Sequence, residues 1–150
     1  MRVLTALVLS SLALSTLPAR AATPETEAFG KCLIGKTTGD DRLLLARWIT
    51  FAFASHPIVQ DTLSIDATKL PETDENMANL VMSLLTERCA VEAKAAVAAE
   101  GNTTVAMQKA FEMLGMVASQ EVMMDAATQA RINAFGSYLD EGRLNSALTP

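Results

Sequence analysis

The chain has 150 residues, half of them hydrophobic, and its 17 acidic residues against 12 basic ones give a net charge of −5. This length suffices for one ordinary domain with its own core. The acidic balance and the lack of a basic cluster argue against nucleic acid and anionic membrane surfaces as partners.

Residues 1–21 are typical of a cleavable secretory signal peptide. Arg2 supplies the positive end, an apolar run extends to Leu17, and Ala19-Arg20-Ala21 places small residues at the two positions that a signal peptidase reads. The apolar run is shorter than the roughly 20 residues that span a bilayer, which favours cleavage over an uncleaved anchor. We therefore expect export, no stable membrane insertion after cleavage, and a mature domain over residues 22–150 with a net charge of −7.

The chain contains two cysteines, Cys32 and Cys89, and both belong to the mature domain. An even number of cysteines in an exported protein predicts one disulfide. A redox or catalytic thiol is the alternative. It is disfavoured because the two residues do not form a C-x-x-C pair and no histidine lies near either of them in the sequence.

The pattern predicts an all-α single domain of five to six helices, because strand signals are nearly absent and Gly and Pro fall where helices would stop. Thr23-Pro24 begins the first helix and Gly35 ends it. Asp40 and Asp41 begin the second, whose apolar side chains cover nearly the whole circumference over residues 43–54. A helix that is apolar all round is buried, so we expect the segment of about 40–55 to be the centre of the fold.

The third helix is expected to begin at Thr73 or Asp74 and to end near Cys89. An alanine-rich stretch over residues 90–99 continues or restarts the helix, and Gly101 stops it.

Two further helices are expected, one opening at Asn102 and one near Asp125. The tail after Gly142 is expected to fray, although Leu144 and Leu148 could dock. Connections of about 2 to 8 residues are typical of an antiparallel bundle or an orthogonal array, here around the central apolar helix.

Two residues of the second helix are candidates for binding a ligand or partner. Arg47 is the only charge within the apolar stretch, so it is a structural ion pair, a side chain that reaches the surface, or an anion-binding group in a cleft. His56 is the only histidine and precedes Pro57. This position suits a helix C-terminus, and a general base, the alternative, would need an orienting acid that the sequence does not place.

Met116 and Met123 are candidates of another kind. They lie seven residues apart on the polar side of a helix whose other face is already apolar. Three interpretations stay open: a second packing face, a partner groove, or a thioether site for Cu(I).

No motif predicts a catalytic residue, a metal site or a cofactor. The serine elbow and the metalloprotease helix are not found in the sequence. The acidic cluster at Glu72, Asp74 and Glu75 lacks the spacing and the central Gly of a calcium loop.

The start of the mature chain contains a series of short sequence motifs: Cys32-Leu33, Thr37-Thr38-Gly39, Asp41-Arg42, Arg47-Trp48 and His56-Pro57. In these motifs the chain resembles exported, uncharacterised helical proteins of Gram-negative bacteria. The resemblance covers about the first third of the mature domain and implies a periplasmic address, and the signal-peptide pattern implies export by the general secretory route. It implies no activity.

The sequence therefore favours a non-catalytic periplasmic protein that binds a partner protein or a small ligand. One alternative is a small periplasmic enzyme that uses Arg47 and His56. The other is a copper-handling protein that uses methionines. Convergence of Arg47 and His56 in a deep pocket would support the enzyme, and an exposed apolar patch would support the binding protein.

Overall fold

The computed structural model describes residues 21–60 and 62–149, and within this part of the chain all regular structure is helical. The signal peptide predicted over residues 1–21 lies outside the described residues, apart from Ala21. Eight α-helices are found among the described residues: α1 Pro24–Lys36, α2 Gly39–Ala54, α3 Pro57–Gln60, α4 Leu70–Ser83, α5 Ala90–Glu100, α6 Thr103–Met124, α7 Ala126–Ala134 and α8 Glu141–Leu148. None of these eight is both long enough and apolar enough to cross a bilayer.

The predicted all-α class is confirmed, but the predicted number of five to six helices is too low. A π-helical turn over Leu84–Arg88 separates α4 from α5, where the sequence left one helix or two open. A 3₁₀ turn over Phe135–Tyr138 and the capping residue Asp140 separate α7 from α8. The last helix beyond the predicted number is α3, which consists of a single turn.

Side-chain caps explain where most helices begin. The Thr23 hydroxyl accepts from the backbone N–H of Thr26 at 3.3 Å, as expected for the start of α1. α2 begins with a reciprocal capping box between Thr38 and Asp41, so Asp41 acts from inside the helix rather than as its cap. Asn102 caps α6 by accepting from the N–H of Val105 at 3.1 Å.

The core lies between α1, α4, α5 and α6. α1 packs on α5 and α6, and α2 packs on α4 and α6. The buried face of α6 recurs every fourth residue and is made mainly of alanine, so α1 approaches it closely. Phe29 of α1 is fully buried and meets Phe111 of α6 edge-to-face, with ring centroids 6.4 Å apart.

The prediction that residues 40–55 form the centre of the fold is not confirmed. α2 buries only Leu45 and Ala54, whereas the side chains of Leu43 and Phe53 are 54% and 69% exposed. The helix lies at the side of the domain, where α4 and α6 cover one of its faces and leave the other apolar face open.

The predicted disulfide is confirmed. Cys32 of α1 is bonded to Cys89, which precedes α5, and their Cα atoms are 5.9 Å apart. Arg88 reinforces this junction, because it donates to the carbonyl oxygen of Lys36 at 3.1 Å and pairs with Asp41 at 2.9 Å. The end of α1 and the start of α2 are thereby tied to the joint between α4 and α5.

Candidate functional site

The surface that stands out is a groove between the uncovered face of α2 and the last turns of α6. It has a volume of about 440 Å³. α2 lines it with Leu43, Ala46, Arg47, Ile49, Thr50 and Phe53, and α6 lines it with Ser119, Val122 and Met123. Most of this lining is apolar and several of its large side chains face solvent, so the groove is an exposed hydrophobic surface. We call it the α2–α6 groove.

An ion pair between α2 and α6 holds the two walls of the α2–α6 groove together. Nη2 of Arg42 lies 2.7 Å from Oε1 of Glu121, and Nε of the same guanidinium donates to that oxygen. Nη1 of Arg42 donates to the carbonyl oxygen of Thr37 at 2.8 Å. These contacts of one guanidinium orient α2 against α6 next to Leu43, at one end of the groove.

Arg47 is an exposed cation on the wall of the groove. It also lines an adjoining depression formed with the segment from Leu63 to Asp66 and with Lys69. Lys69 is paired with Asp66 at 3.9 Å, whereas no carboxylate of the described residues lies within 4.0 Å of the Arg47 guanidinium. Of the interpretations open for Arg47, the described residues therefore provide no ion pair, and the side chain lies at the surface beside a cleft.

His56 does not join Arg47. Its side chain is exposed, and its Nδ1 accepts from the backbone N–H of Ile58 at 3.3 Å. It lines neither of the two cavities that Arg47 lines. α2 ends at Ala54 with Ser55 as its C-cap, so the histidine lies in the turn before α3 rather than at the C-cap of α2.

The two candidate methionines occupy different surroundings on α6. Met123 lines the groove and is 47% exposed, whereas Met116 is 62% exposed and lies outside it. A separation of seven residues places them roughly 10 Å apart along the helix axis. Among the described residues, no three side chains of the His, Cys, Asp and Glu types come close enough to hold a metal ion.

A buried acid that the sequence did not reveal lies away from the groove. The side chain of Glu100, at the end of α5, is only 2% exposed. Its Oε1 accepts from the backbone N–H of Thr23 and from the hydroxyl of Thr26, both at 3.1 Å, and Lys109 lies 3.0 Å from Oε2. The hydrogen bond from Thr23, followed by that from Lys109, lowers the pKa of Glu100 from 4.5 to about 2.

Glu100 should therefore stabilise the fold at neutral pH and make its stability sensitive to acid. Because its pKa is lowered in the folded state, its contribution is fully present above a pH of about 4.5 and is lost as the pH falls toward 2. In Glu100→Gln we expect a lower free energy of unfolding at neutral pH, and a difference from wild type that shrinks as the pH falls through this window. Urea unfolding at a series of pH values measures both effects.

Glu92→Gln on the same helix is the matched control, because Glu92 makes no side-chain hydrogen bond or ion pair within the described residues. The difference between this variant and wild type should be small at every pH. A Glu100→Gln deficit that stays constant from pH 7 to pH 2 would contradict the role assigned to the carboxylate.

Comparison of the chain with protein-family models, with curated proteins and with solved structures yields no significant match to any of them. The function of this chain is therefore inferred from the groove and from the residues around it.

Proposed function

We propose that this chain is a non-catalytic periplasmic binding protein that holds an amphipathic helix of a protein partner in the α2–α6 groove. The observation that carries the proposal is the uncovered apolar face of α2, with Leu43 and Phe53 exposed on it and Met123 opposite. Helix-in-groove recognition uses this kind of surface, an apolar channel that receives side chains spaced at helical intervals.

The dimensions of the groove favour a helical segment over a small molecule. Leu43, Ala46, Thr50 and Phe53 follow one another at intervals of three and four residues on one face of α2. At a rise of 1.5 Å per residue this row is about 15 Å long. An extended apolar row three turns long offers successive contacts to a helix of similar length, whereas a small ligand would cover only part of it.

Arg47 adds a charge preference to the groove. It is an exposed cation within an apolar row, and no carboxylate among the described residues is paired with it. A partner helix with an acidic residue on the same face as its apolar side chains would complement this pattern. The expected ligand is therefore an acidic amphipathic helix.

The periplasmic address belongs to the same proposal. It is supported by the signal-peptide pattern of residues 1–21 and by the Cys32–Cys89 disulfide, because disulfides persist in oxidising compartments and are rare in reducing ones. A partner would then be met after export.

Site-specific photo-crosslinking in intact cells tests the proposed function. A photoreactive benzoylphenylalanine replaces Phe53 in the groove, and in a matched strain it replaces Val91, which is 78% exposed on α5. We expect discrete crosslinked products from position 53 that are missing from position 91. Mass spectrometry should locate the crosslink on an amphipathic helix with an acidic residue beside its apolar stripe.

The same products should diminish when Leu43→Asp is added to the position-53 strain, because the carboxylate interrupts the apolar row and can pair with Arg47 four residues later, which removes both features that the partner helix would contact. Failure to obtain any product specific to position 53, or equal products from positions 53 and 91, would overturn the proposed function.

A further inference from the structure

The C-terminal segment of the same chain carries a second uncovered apolar surface. From Gln129 to Thr149 every residue is exposed. α7 packs only on its chain neighbours, α6 and the turn Phe135–Tyr138, and α8 packs on no other described element. The large apolar side chains that this leaves in solvent are Ile132, Phe135, Tyr138, Leu139, Leu144 and Leu148. Monomeric proteins rarely leave a segment of this kind uncovered.

The C-terminal segment does not occupy the groove of its own chain, because none of its residues lines the groove and neither α7 nor α8 packs on α2. α6 ends at Met124 and α7 begins at Ala126, so Asp125 alone joins them. Its Oδ1 accepts from the backbone N–H of Ala127 at 2.9 Å and caps α7. Antiparallel neighbouring helices need a connection of about 2 to 5 residues. The single residue Asp125 is shorter than such a connection, so α7 does not fold back on α6 as the second helix of an antiparallel pair.

α8 has the pattern that the α2–α6 groove requires. Glu141, Leu144 and Leu148 are separated by three and four residues and share one face of this helix. Eight helical residues are about 12 Å long, somewhat shorter than the row of about 15 Å on α2, so α8 fits within the groove. This face of α8 therefore carries one acid and two leucines. The groove offers a cation, Arg47, together with apolar side chains such as Leu43 and Phe53, so the two surfaces are complementary in charge and in apolar character.

We propose that the groove is occupied by α8 of a second copy of this chain, and that two chains exchange their C-terminal segments reciprocally in a homodimer. The inference rests on the proposed function, since it identifies the partner helix of the same groove. Each chain carries both a groove and a C-terminal segment. A two-fold axis therefore forms two identical contacts, in each of which the groove of one chain receives α8 of the other. In each interface Glu141 faces Arg47 of the other chain, and Leu144 and Leu148 lie against its apolar row.

A charge exchange between two variants tests this arrangement in the chain purified after export and signal-peptide cleavage. Arg47→Glu places an acid opposite Glu141, and Glu141→Arg places a cation opposite Arg47, so each variant alone should dimerise at least tenfold more weakly than wild type. In a mixture, the groove of each variant meets the oppositely charged α8 of the other. The mixture should recover a dimerisation constant within a few-fold of wild type, measured by analytical ultracentrifugation over a concentration series.

Apolar contacts are tested by Phe53→Asp in the groove and Leu144→Asp in α8, each of which should leave the chain monomeric. Val91→Asp is the control and should dimerise as wild type does. Circular dichroism of each variant should show unchanged helix content.

Three results would overturn the homodimer: a monomeric wild type at every concentration, no recovery on mixing the two charge variants, or equal disruption by Val91→Asp. The double variant Arg47→Glu/Glu141→Arg adds a further check. If it recovers the wild-type dimerisation constant and the mixture does not, α8 docks within its own chain, and this result also overturns the exchanged homodimer. The photo-crosslinking separates this failure from that of the proposed function. If the crosslinked products from position 53 contain a different protein, the groove is still a binding site. Only the proposal that a second copy of this chain occupies it is then contradicted.

Discussion

Removing the disulfide should lower the free energy of unfolding by about 4 kcal/mol. The bond joins Cys32 and Cys89 across 57 residues of chain. In the chain-entropy model, a closed loop of this length restricts the unfolded ensemble by roughly that amount. Domains of this size have a total stability of about 5–15 kcal/mol, so Cys32→Ala/Cys89→Ala should lose a large share of it. Urea unfolding of the oxidised wild type and of the double variant measures the difference.

Reductant supplies the control for this experiment. It should destabilise the wild type by nearly the same amount and leave the double variant unchanged, and the denatured, unreduced wild type should contain no free thiol. A loss below about 1 kcal/mol would contradict the chain-entropy argument and mean that the bond restricts the unfolded chain much less than its loop length implies.

The features that could be predicted from the sequence depend on signals confined to a few neighbouring residues. Thr23 before Pro24, Asn102 and Asp125 mark helix starts because a short polar side chain can satisfy backbone N–H groups two or three residues ahead. Gly101 marks the end of α5 because its φ of +67° lies in the left-handed region. The disulfide followed from the number of cysteines together with the expectation of export.

The position of α2 could not be predicted in the same way. An apolar circumference indicates which side chains avoid water, but it does not show what covers them. A core helix and a helix with one face reserved for a partner have the same pattern. The buried face of α6 is centred on Ala106, Ala110, Leu114 and Ala118, with Met107 and Phe111 at its margin. The apolar face that the sequence indicated on this helix is thus made largely of alanine, and neither candidate methionine lies on it.

The candidate site was predicted in part. Arg47 and Met123 line the groove, whereas His56 and Met116 do not. Leu43 and Phe53 were missed because they were assigned to the core. Glu100 carried no signal, since a single acid in an alanine-rich helix is ordinary. Its partners Thr23 and Thr26 are more than 70 residues away in sequence.

Truncation of two phenylalanines, one in the core and one on α2, tests directly whether α2 lies at the side of the domain. Phe29 is fully buried against Phe111, so Phe29→Ala should lower the free energy of unfolding by about 3–5 kcal/mol through lost burial and the cavity left behind. Phe53 is 69% exposed, so Phe53→Ala should change the stability of the monomer by no more than about 0.5 kcal/mol. If α2 were the centre of the fold, the Phe53→Ala loss would be as large as the Phe29→Ala loss.

Chemical unfolding of both variants should be followed over a range of protein concentrations. A homodimer adds a contribution that depends on concentration, whereas the stability of the monomer does not. The Phe29→Ala loss should therefore be the same at every concentration, because this side chain packs inside one chain. The effect of Phe53→Ala should approach zero on dilution and grow as the dimer forms, because its ring then lies against α8 of the second copy. If Phe53→Ala strongly lowers the free energy of unfolding even in dilute solution, Phe53 is buried within the monomer. α2 would then belong to the core, and the open face that forms the groove would not exist.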